Sequence, residues 1–162
     1  MHNFKIEIYL KLIFLVCLIS ITSAYFIEYV LGHQPCNLCL IERIPYGLGL
    51  ILLIFNHIQR KNEQFIIILL TLVFVFSLLI SIYHFGIEQG FFEESMVCGL
   101  KDTSILISKE EILKQLQEKT TNCKDVTFKI FGFSLTTLNI MVSLILIILL
   151  TKILINYEKT RK

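Results

Sequence analysis

Charged residues are scarce in this 162-residue sequence, at 17% of the chain against 55% for apolar residues. Since a soluble domain usually carries about 25% charge, the composition disfavours an ordinary globular protein. It also disfavours a disordered chain and a small secreted disulfide fold, because five cysteines are too dilute at this length. The net charge of +2 is too small to indicate nucleic-acid binding. With a mean hydropathy of +0.73, the composition indicates a membrane protein.

Four stretches without a charged residue predict the membrane-spanning helices; they are residues 12–27, 44–59, 64–87 and 130–151. A helix needs roughly 20 residues to cross a bilayer, so the two shorter stretches must include flanking residues. We predict an all-α membrane protein, a four-helix bundle in a single domain over 1–162, with helices near 8–29, 41–59, 64–87 and 130–152. The first helix does not resemble a cleaved signal peptide, because its apolar run is long and no small-x-small cleavage site follows it.

Lysine and arginine predict the orientation of the bundle. Eight basic residues lie on the two terminal segments and the short 60–63 connection. The opposite side has Arg43 and a 42-residue loop, 88–129, in which six lysines are mixed with eight acidic residues. Short basic segments stay in the cytoplasm, whereas long loops translocate largely regardless of charge. We therefore predict that both termini are cytoplasmic and that loops 30–40 and 88–129 are periplasmic.

The long loop contains a helix signal. Ser108 and Glu111 fit a capping box, and Ile107 and Ile112 fit the matching hydrophobic staple. The apolar stripe that follows predicts a short amphipathic helix on the membrane surface. A loop helix packed on protein is the alternative.

Four of the five cysteines lie in the two predicted periplasmic segments. Cys36 and Cys39 form a C-x-x-C directly before the second helix, and Cys98 and Cys123 lie in the long loop. An oxidising compartment favours disulfides over free thiols. The fifth, Cys17, lies in the middle of the first helix, where apolar packing accounts for it.

The C-x-x-C has the features of a reactive site. At a helix N-terminus, the dipole and the unpaired amides stabilise a thiolate. If the helix has begun, Cys36, Cys39 and Arg43 share one face at positions i, i+3 and i+7. Arg43 can then favour a thiolate or bind a carbonyl oxygen. The alternative is an arginine that only anchors the helix at the interface.

The residues alone allow three interpretations of the four cysteines, of which one is disfavoured. A disulfide between Cys98 and Cys123 would stabilise the long loop as a static brace. A four-thiolate zinc site is disfavoured by the compartment and by the absence of a second C-x-x-C, so no metal is predicted. The third interpretation is electron transfer by thiol–disulfide exchange, ending on a lipid-soluble quinone.

The motif around the first cysteine pair resembles the signature of the DsbB family of membrane thiol oxidoreductases, in Pro35-Cys36-x-Leu38-Cys39-x-x-x-Arg43-x-Pro45-Tyr46. Further matches in order along the chain are Tyr83-His84-x-Gly86-Ile87-Glu88-x-Gly90, Cys123-x-Asp125, Phe131-Gly132-x-Ser134-Leu135 and Asn139. The chain departs from the alphaproteobacterial branch at Gln89 and Phe92, where tryptophan is common, and it has no tryptophan at all.

The resemblance implies an enzyme of the bacterial inner membrane. A periplasmic DsbA-like thioredoxin-fold protein would reduce the Cys98–Cys123 disulfide, with attack at Cys98. The Cys36–Cys39 disulfide would reoxidise the loop pair, and ubiquinone or menaquinone would reoxidise Cys36 and Cys39. The competing hypothesis is a non-enzymatic four-helix scaffold with two structural disulfides.

His84 and Glu88 lie one helical turn apart at the predicted periplasmic end of the third helix. Ionisable groups at such a depth are functional candidates by default. His84 can line a quinone pocket or pass protons. The alternative is a boundary residue that bonds to lipid headgroups or loop backbone.

Overall fold

A computed structural model describes residues 2–59, 63–93, 123, 129–130 and 132–161. In these residues the elements are α1 (His2–Tyr29), α2 (Asn37–Ile41), α3 (Ile44–Ile58), α4 (Glu63–Glu88), β1 (Lys129–Ile130), β2 (Phe133–Ser134) and α5 (Leu135–Arg161). Four described segments are long and apolar enough to cross a membrane, namely Ile6–Tyr29, Asn37–Ile58, Glu63–Glu88 and Leu135–Tyr157. The predicted four-helix membrane bundle is confirmed. Its single-domain boundaries stay a prediction.

The outer helices extend beyond the predicted spans. α1 begins at His2 instead of residue 8, and α5 continues to Arg161 instead of ending at 152. Charge marks where a chain leaves the bilayer, but it does not end a helix. Lys11 and Glu7 both lie inside α1, with Lys11 Nζ 3.4 Å from a Glu7 carboxylate oxygen, an i,i+4 pair that suits a helix surface.

The second span is two helices separated by a turn. α2 starts at Asn37, earlier than the predicted 41, and Glu42 and Arg43 form the turn before α3. Pro45 has no amide hydrogen to donate to the carbonyl of Ile41, so the regular helix is interrupted there. Within the turn, the Arg43 amide donates to the Leu40 carbonyl at 3.2 Å, three residues back along the chain. The turn brings two charged residues to the start of an apolar helix.

The fourth span begins later than predicted. Residues 129–130 are not helical, because β1 pairs with β2 in an antiparallel ladder. Gly132 has φ +86° in the turn between them, a conformation that glycine adopts without steric cost. Ser134 Oγ then accepts a hydrogen bond from the Thr137 amide at 3.2 Å, which caps α5. A short apolar run does not by itself distinguish a strand from a helix.

The main apolar core joins the helices away from Cys36, Cys39 and Cys123, and it includes Cys17. α4 packs against α5 and α3, and α1 packs against α3 and α5. The largest buried side chains of this core include Ile13, Ile67, Leu70, Phe74, Leu146 and Leu150. Outward-facing side chains are also apolar, for example Ile51, Phe65 and Leu79. Apolar character on every side is typical of helices that contact lipid.

A second, smaller cluster lies at the other end of the bundle. It contains Cys36, Leu38, Ile87 and Cys123, with Cys39 and Ile41 packed against it. We call this region the cysteine end. The predicted helix around Ser108 and the predicted site residue Cys98 both lie outside the described residues.

Candidate active site

Cys36 and Cys39 are positioned by the first turn of α2. Cys36 is the N-cap, with extended backbone at φ −72° and ψ 166°. Its sulfur accepts a hydrogen bond from the Cys39 amide at 3.2 Å. Both cysteines are free thiols, as is Cys17, whereas Cys123 is in a disulfide bond. The C-x-x-C spacing thus folds into a capped helix start with two adjacent thiols.

The surroundings of Cys36, which lies just before the membrane span, favour its thiolate. The hydrogen bond with the Cys39 side chain lowers the pKa of Cys36 from 9.0 to about 5. Burial opposes this change, and the hydrogen bond and charge of His84 reinforce it. Because the thiolate is the reactive form of cysteine, Cys36 is mainly in its reactive form at neutral pH.

His84 is buried beside Cys36. Its Nε2 atom lies 3.5 Å from Cys36 Sγ, and its Nδ1 atom lies 3.0 Å from Glu42 Oε1. Thr136 Oγ1 lies 3.3 Å from the same Nδ1 atom. A histidine with these partners and only 1% exposure does not fit the interpretation of a residue bonded to lipid headgroups.

A hydrogen-bonded network continues from His84 into the bundle. Asn139 Nδ2 donates to Glu42 Oε2 at 3.0 Å and to Ser81 Oγ at 2.8 Å. The Tyr46 hydroxyl donates to Asn139 Oδ1. Buried polar groups are costly unless they are hydrogen-bonded, and a network in which they are satisfied is rigid. The network therefore fixes the His84 ring in front of Cys36.

Arg43 is held by α1. Its guanidinium donates a hydrogen bond to the Glu28 carboxylate and lies 5.1 Å from the centroid of the Tyr25 ring. These contacts join an ion pair to a cation–π interaction. Arg43 is therefore directed towards α1.

A cavity of about 390 Å³ connects these groups. Its polar side includes Cys36, Cys39, Glu42, Arg43, His84, Glu88 and Cys123. Its apolar side comes from α1 and α5, including Ile19, Ala24, Ile27, Leu135, Leu138 and Val142. The structure thus brings together every predicted site residue except Cys98, which lies outside the described part of the chain.

Comparison with known proteins gives the family. Residues 7–153 match the family model described as "Disulfide bond formation protein DsbB". The chain belongs to the DsbB family. It is therefore a multi-pass bacterial membrane protein of disulfide-bond formation, and the resemblance seen in its motifs is confirmed.

Two relatives illustrate how far the similarity extends. "Uncharacterized protein RP370" of Rickettsia prowazekii (strain Madrid E) is 29% identical over 149 residues, covering 91% of this chain and 86% of the relative. "Disulfide bond formation protein B" of Marinobacter nauticus (strain ATCC 700491 / DSM 11845 / VT8) is 28% identical over 129 residues, covering 76% of this chain and 77% of the relative. No solved structure matches the chain.

Sequence reasoning missed two acidic residues of this DsbB-family site. Glu42 orients His84, and Glu28 pairs with Arg43. In the sequence, Glu28 was interpreted only as the charged residue that follows the first apolar stretch. The available signal was the position of both carboxylates next to apolar membrane segments, where ionisable residues are functional candidates.

Proposed function

We propose that this DsbB-family protein is a protein-dithiol:quinone oxidoreductase. It reoxidises a DsbA-like periplasmic thioredoxin-fold protein and passes the electrons to a membrane quinone, ubiquinone or menaquinone. The observation that carries the proposal is the cavity shared by two free thiols, Arg43, His84 and a disulfide-bonded Cys123. Two free thiols and a disulfide-bonded cysteine at one cavity suit a relay better than a brace.

Electrons enter at the loop pair. A thiolate of the reduced partner attacks the Cys98–Cys123 disulfide at Cys98 and forms a mixed disulfide, releasing the Cys123 thiolate. The second thiolate of the partner attacks this mixed disulfide and releases Cys98. The partner has then lost two electrons and gained a disulfide, and the loop pair has gained them as a dithiol.

The second exchange moves the electrons to the C-x-x-C. A thiolate of the reduced loop pair attacks the Cys36–Cys39 disulfide, and the loop disulfide forms again as Cys36 and Cys39 become thiols. Cys36 and Cys123 belong to the same small buried cluster, which supports direct exchange between the pairs. A disulfide at Cys123 beside free thiols at Cys36 and Cys39 is the cysteine state expected after this step.

The cavity fits a quinone by size and chemistry. Its volume of about 390 Å³ falls in the range of roughly 300–1,000 Å³ typical of small-molecule sites. When bound, a quinone supplies an acceptor for two electrons and two protons. Arg43 would donate to a carbonyl oxygen, and the apolar walls of α1 and α5 would contact the ring.

The chain's own groups can manage the protons of this reaction. Because Cys36 is already a thiolate, closing the Cys36–Cys39 disulfide releases one proton, from Cys39, and removes the negative charge that the protonated His84 faces. His84 Nε2 then lies beside a neutral sulfur, while Glu42 holds the opposite ring nitrogen. His84 is thus suited to donating its proton into the cavity as the thiolate is consumed.

The scaffold hypothesis is the weaker alternative. It requires two structural disulfides, but Cys36 and Cys39 are free thiols. A buried histidine and a buried carboxylate beside them add no stability that an apolar pair would not supply.

The proposal includes an orientation, with the cysteine end facing the periplasm from the inner membrane. Reporter fusions after Glu63 and at residue 110 should lie in opposite compartments, the first in the cytoplasm and the second outside it. Finding both reporters in the same compartment would rule out this orientation.

Anaerobic mixing of the purified protein with a reduced thioredoxin-fold partner and quinone tests the function. Quinone absorbance should fall as the partner dithiol is oxidised, one quinone for each partner disulfide formed. If the partner is not oxidised, or is oxidised without quinone consumption, the proposed function is wrong.

A further inference from the structure

The reduced cysteine end has the donor set of a metal site. We propose that Cys36 Sγ, Cys39 Sγ and His84 Nε2 bind one thiophilic divalent cation, of which Zn²⁺ is the best match, when the C-x-x-C is in its dithiol state. The proposal uses residues of the proposed active site but does not depend on quinone chemistry. It differs from the four-cysteine zinc site disfavoured by the sequence, because Cys123 is in a disulfide.

The three donor atoms are close enough to share one ion. They all lie within 4.8 Å of one another, and the distance from Cys36 Sγ to His84 Nε2 is 3.5 Å. Tetrahedral Zn²⁺, with bonds of roughly 2.3 Å to sulfur and 2.0–2.1 Å to nitrogen, places these two atom types about 3.6 Å apart. Binding therefore requires little movement of Cys36 and His84.

The histidine is already oriented as a metal ligand. A metal-binding histidine almost always has its other ring nitrogen bonded to a carboxylate, carbonyl or water, which fixes the ring. His84 Nδ1 has such a partner in Glu42 Oε1 at 3.0 Å. Asn139 in turn donates to Glu42 at 3.0 Å, so the supporting carboxylate is itself held in place.

A carboxylate stands beside His84 as a candidate fourth ligand. Glu88 Oε1 lies 4.0 Å from His84 Nε2, the nitrogen that faces the sulfur of Cys36, and the Glu88 side chain is 7% exposed. Among the described residues, Glu88 Oε2 is a buried oxygen with no hydrogen-bond partner. A buried oxygen of this kind is costly in the metal-free protein, and coordination to a cation would satisfy it.

The site would exist in only one redox state. Zinc needs deprotonated sulfurs, and a Cys36–Cys39 disulfide removes both. The metal would therefore hold the pair reduced, and quinone-linked turnover would slow until the metal is released. Zinc would act as a reversible inhibitor of the reduced form.

Cobalt(II) provides a spectroscopic probe for this site. The full-length protein, reduced anaerobically with a phosphine in detergent micelles, should bind one Co²⁺ with tetrahedral visible bands and sulfur-to-cobalt charge transfer, and Zn²⁺ should displace it. Cys39→Ser should lose this spectrum, and Cys17→Ser, the matched control, should keep it. Because the phosphine also opens the disulfide of Cys123, the Cys123→Ser variant is titrated in parallel and should keep the spectrum.

The opposite pattern overturns the proposal. A spectrum that survives in Cys39→Ser and disappears in Cys123→Ser assigns the metal to the loop thiols. Absence of cobalt binding by the reduced wild-type protein is equally decisive. Glu42→Gln tests the role of His84 without removing a ligand, and its cobalt affinity should be weaker by about 10- to 100-fold. An unchanged affinity would contradict the ligand assignment.

Activity in the presence of a chelator separates this proposal from the proposed function. If metal-free protein reduces quinone but never binds cobalt, only the metal site is wrong. If it binds cobalt as described but does not oxidise the partner, only the proposed function is wrong.

Discussion

The two ends of the bundle bury different kinds of side chains. The core around Leu70, Leu146 and Leu150 is formed by fully buried aliphatic side chains, whereas the cysteine end buries Glu42 and His84 within a hydrogen-bonded network. Dense apolar packing contributes stability without reactivity, and buried ionisable groups contribute reactivity at a cost in stability. The same kind of substitution should therefore have different consequences at the two ends.

The largest difference in turnover is expected when a cysteine is replaced by serine at each of the two ends. Cys39→Ser should reduce quinone-linked turnover to the background rate, because no disulfide can form with Cys36. Cys17→Ser, in the apolar core, should keep turnover and lose about 1–3 kcal/mol of stability at most, the cost of burying a hydroxyl. Quinone absorbance and thermal unfolding in micelles measure the two effects. Substantial turnover in folded Cys39→Ser protein would refute the role of this pair.

The pH dependence of Cys36 reactivity sharpens the contrast between buried thiols. Since the pKa of Cys36 is lowered to about 5, its thiolate dominates above that pH and is lost as the pH falls through it. Alkylation of the reduced protein by iodoacetamide, corrected for the reactivity of a free thiol, should follow this titration. His84→Ala should move the midpoint upward, because His84 lowers the Cys36 pKa. A wild-type midpoint near 9 would contradict this account.

Arg43→Ala tests whether the polar side of the cavity binds quinone. Losing a hydrogen bond from a charged group costs about 1.5–3 kcal/mol, so the apparent KM for quinone should rise by roughly 10- to 100-fold. Oxidation of the partner by the loop disulfide in a single turnover should be unchanged, because Arg43 is paired with α1. An unaltered KM in folded protein would support the interfacial-anchor interpretation.

A smaller effect is expected from Glu28→Gln, which removes only the charge that positions Arg43. A partly exposed ion pair is worth about 0.2–1 kcal/mol, and the Tyr25 ring still contacts the guanidinium. The KM for quinone should therefore rise by no more than about fivefold. Glu7→Gln, which changes a carboxylate paired with Lys11 near the opposite end of α1, is the matched control and should leave KM unchanged. Equal KM values in the two variants would remove Glu28 from the site.

The spans could be predicted because the bilayer imposes one simple requirement, the absence of charge over about 20 residues. The turn at Glu42 and Arg43 and the hairpin before α5 were missed, since they depend on Pro45 and Gly132 acting locally. These features are too short to change the hydropathy of a span.

The site was predicted only where a motif carried it. Cys36, Cys39 and Arg43 are close in sequence, and their spacing indicates their proximity. Glu42 and Asn139 are 97 residues apart, so their contact arises only when α5 lies beside the turn at Glu42 and Arg43. Glu28 likewise meets Arg43 because the C-terminal end of α1 lies beside the start of α3. Such contacts require the folded arrangement of helices.

The central claim is that the loop pair passes electrons to the C-x-x-C. It is tested most directly by identifying which cysteine pair is reduced after the protein has received two electrons. The fully oxidised protein would be mixed anaerobically with one equivalent of reduced partner and no quinone, then alkylated and mapped by peptide mass spectrometry. We expect label on Cys36 and Cys39 and none on Cys123, the state of these three cysteines in the structure. Addition of quinone before alkylation should abolish the label. Label on Cys98 and Cys123, with Cys36 and Cys39 still bonded, would contradict the relay.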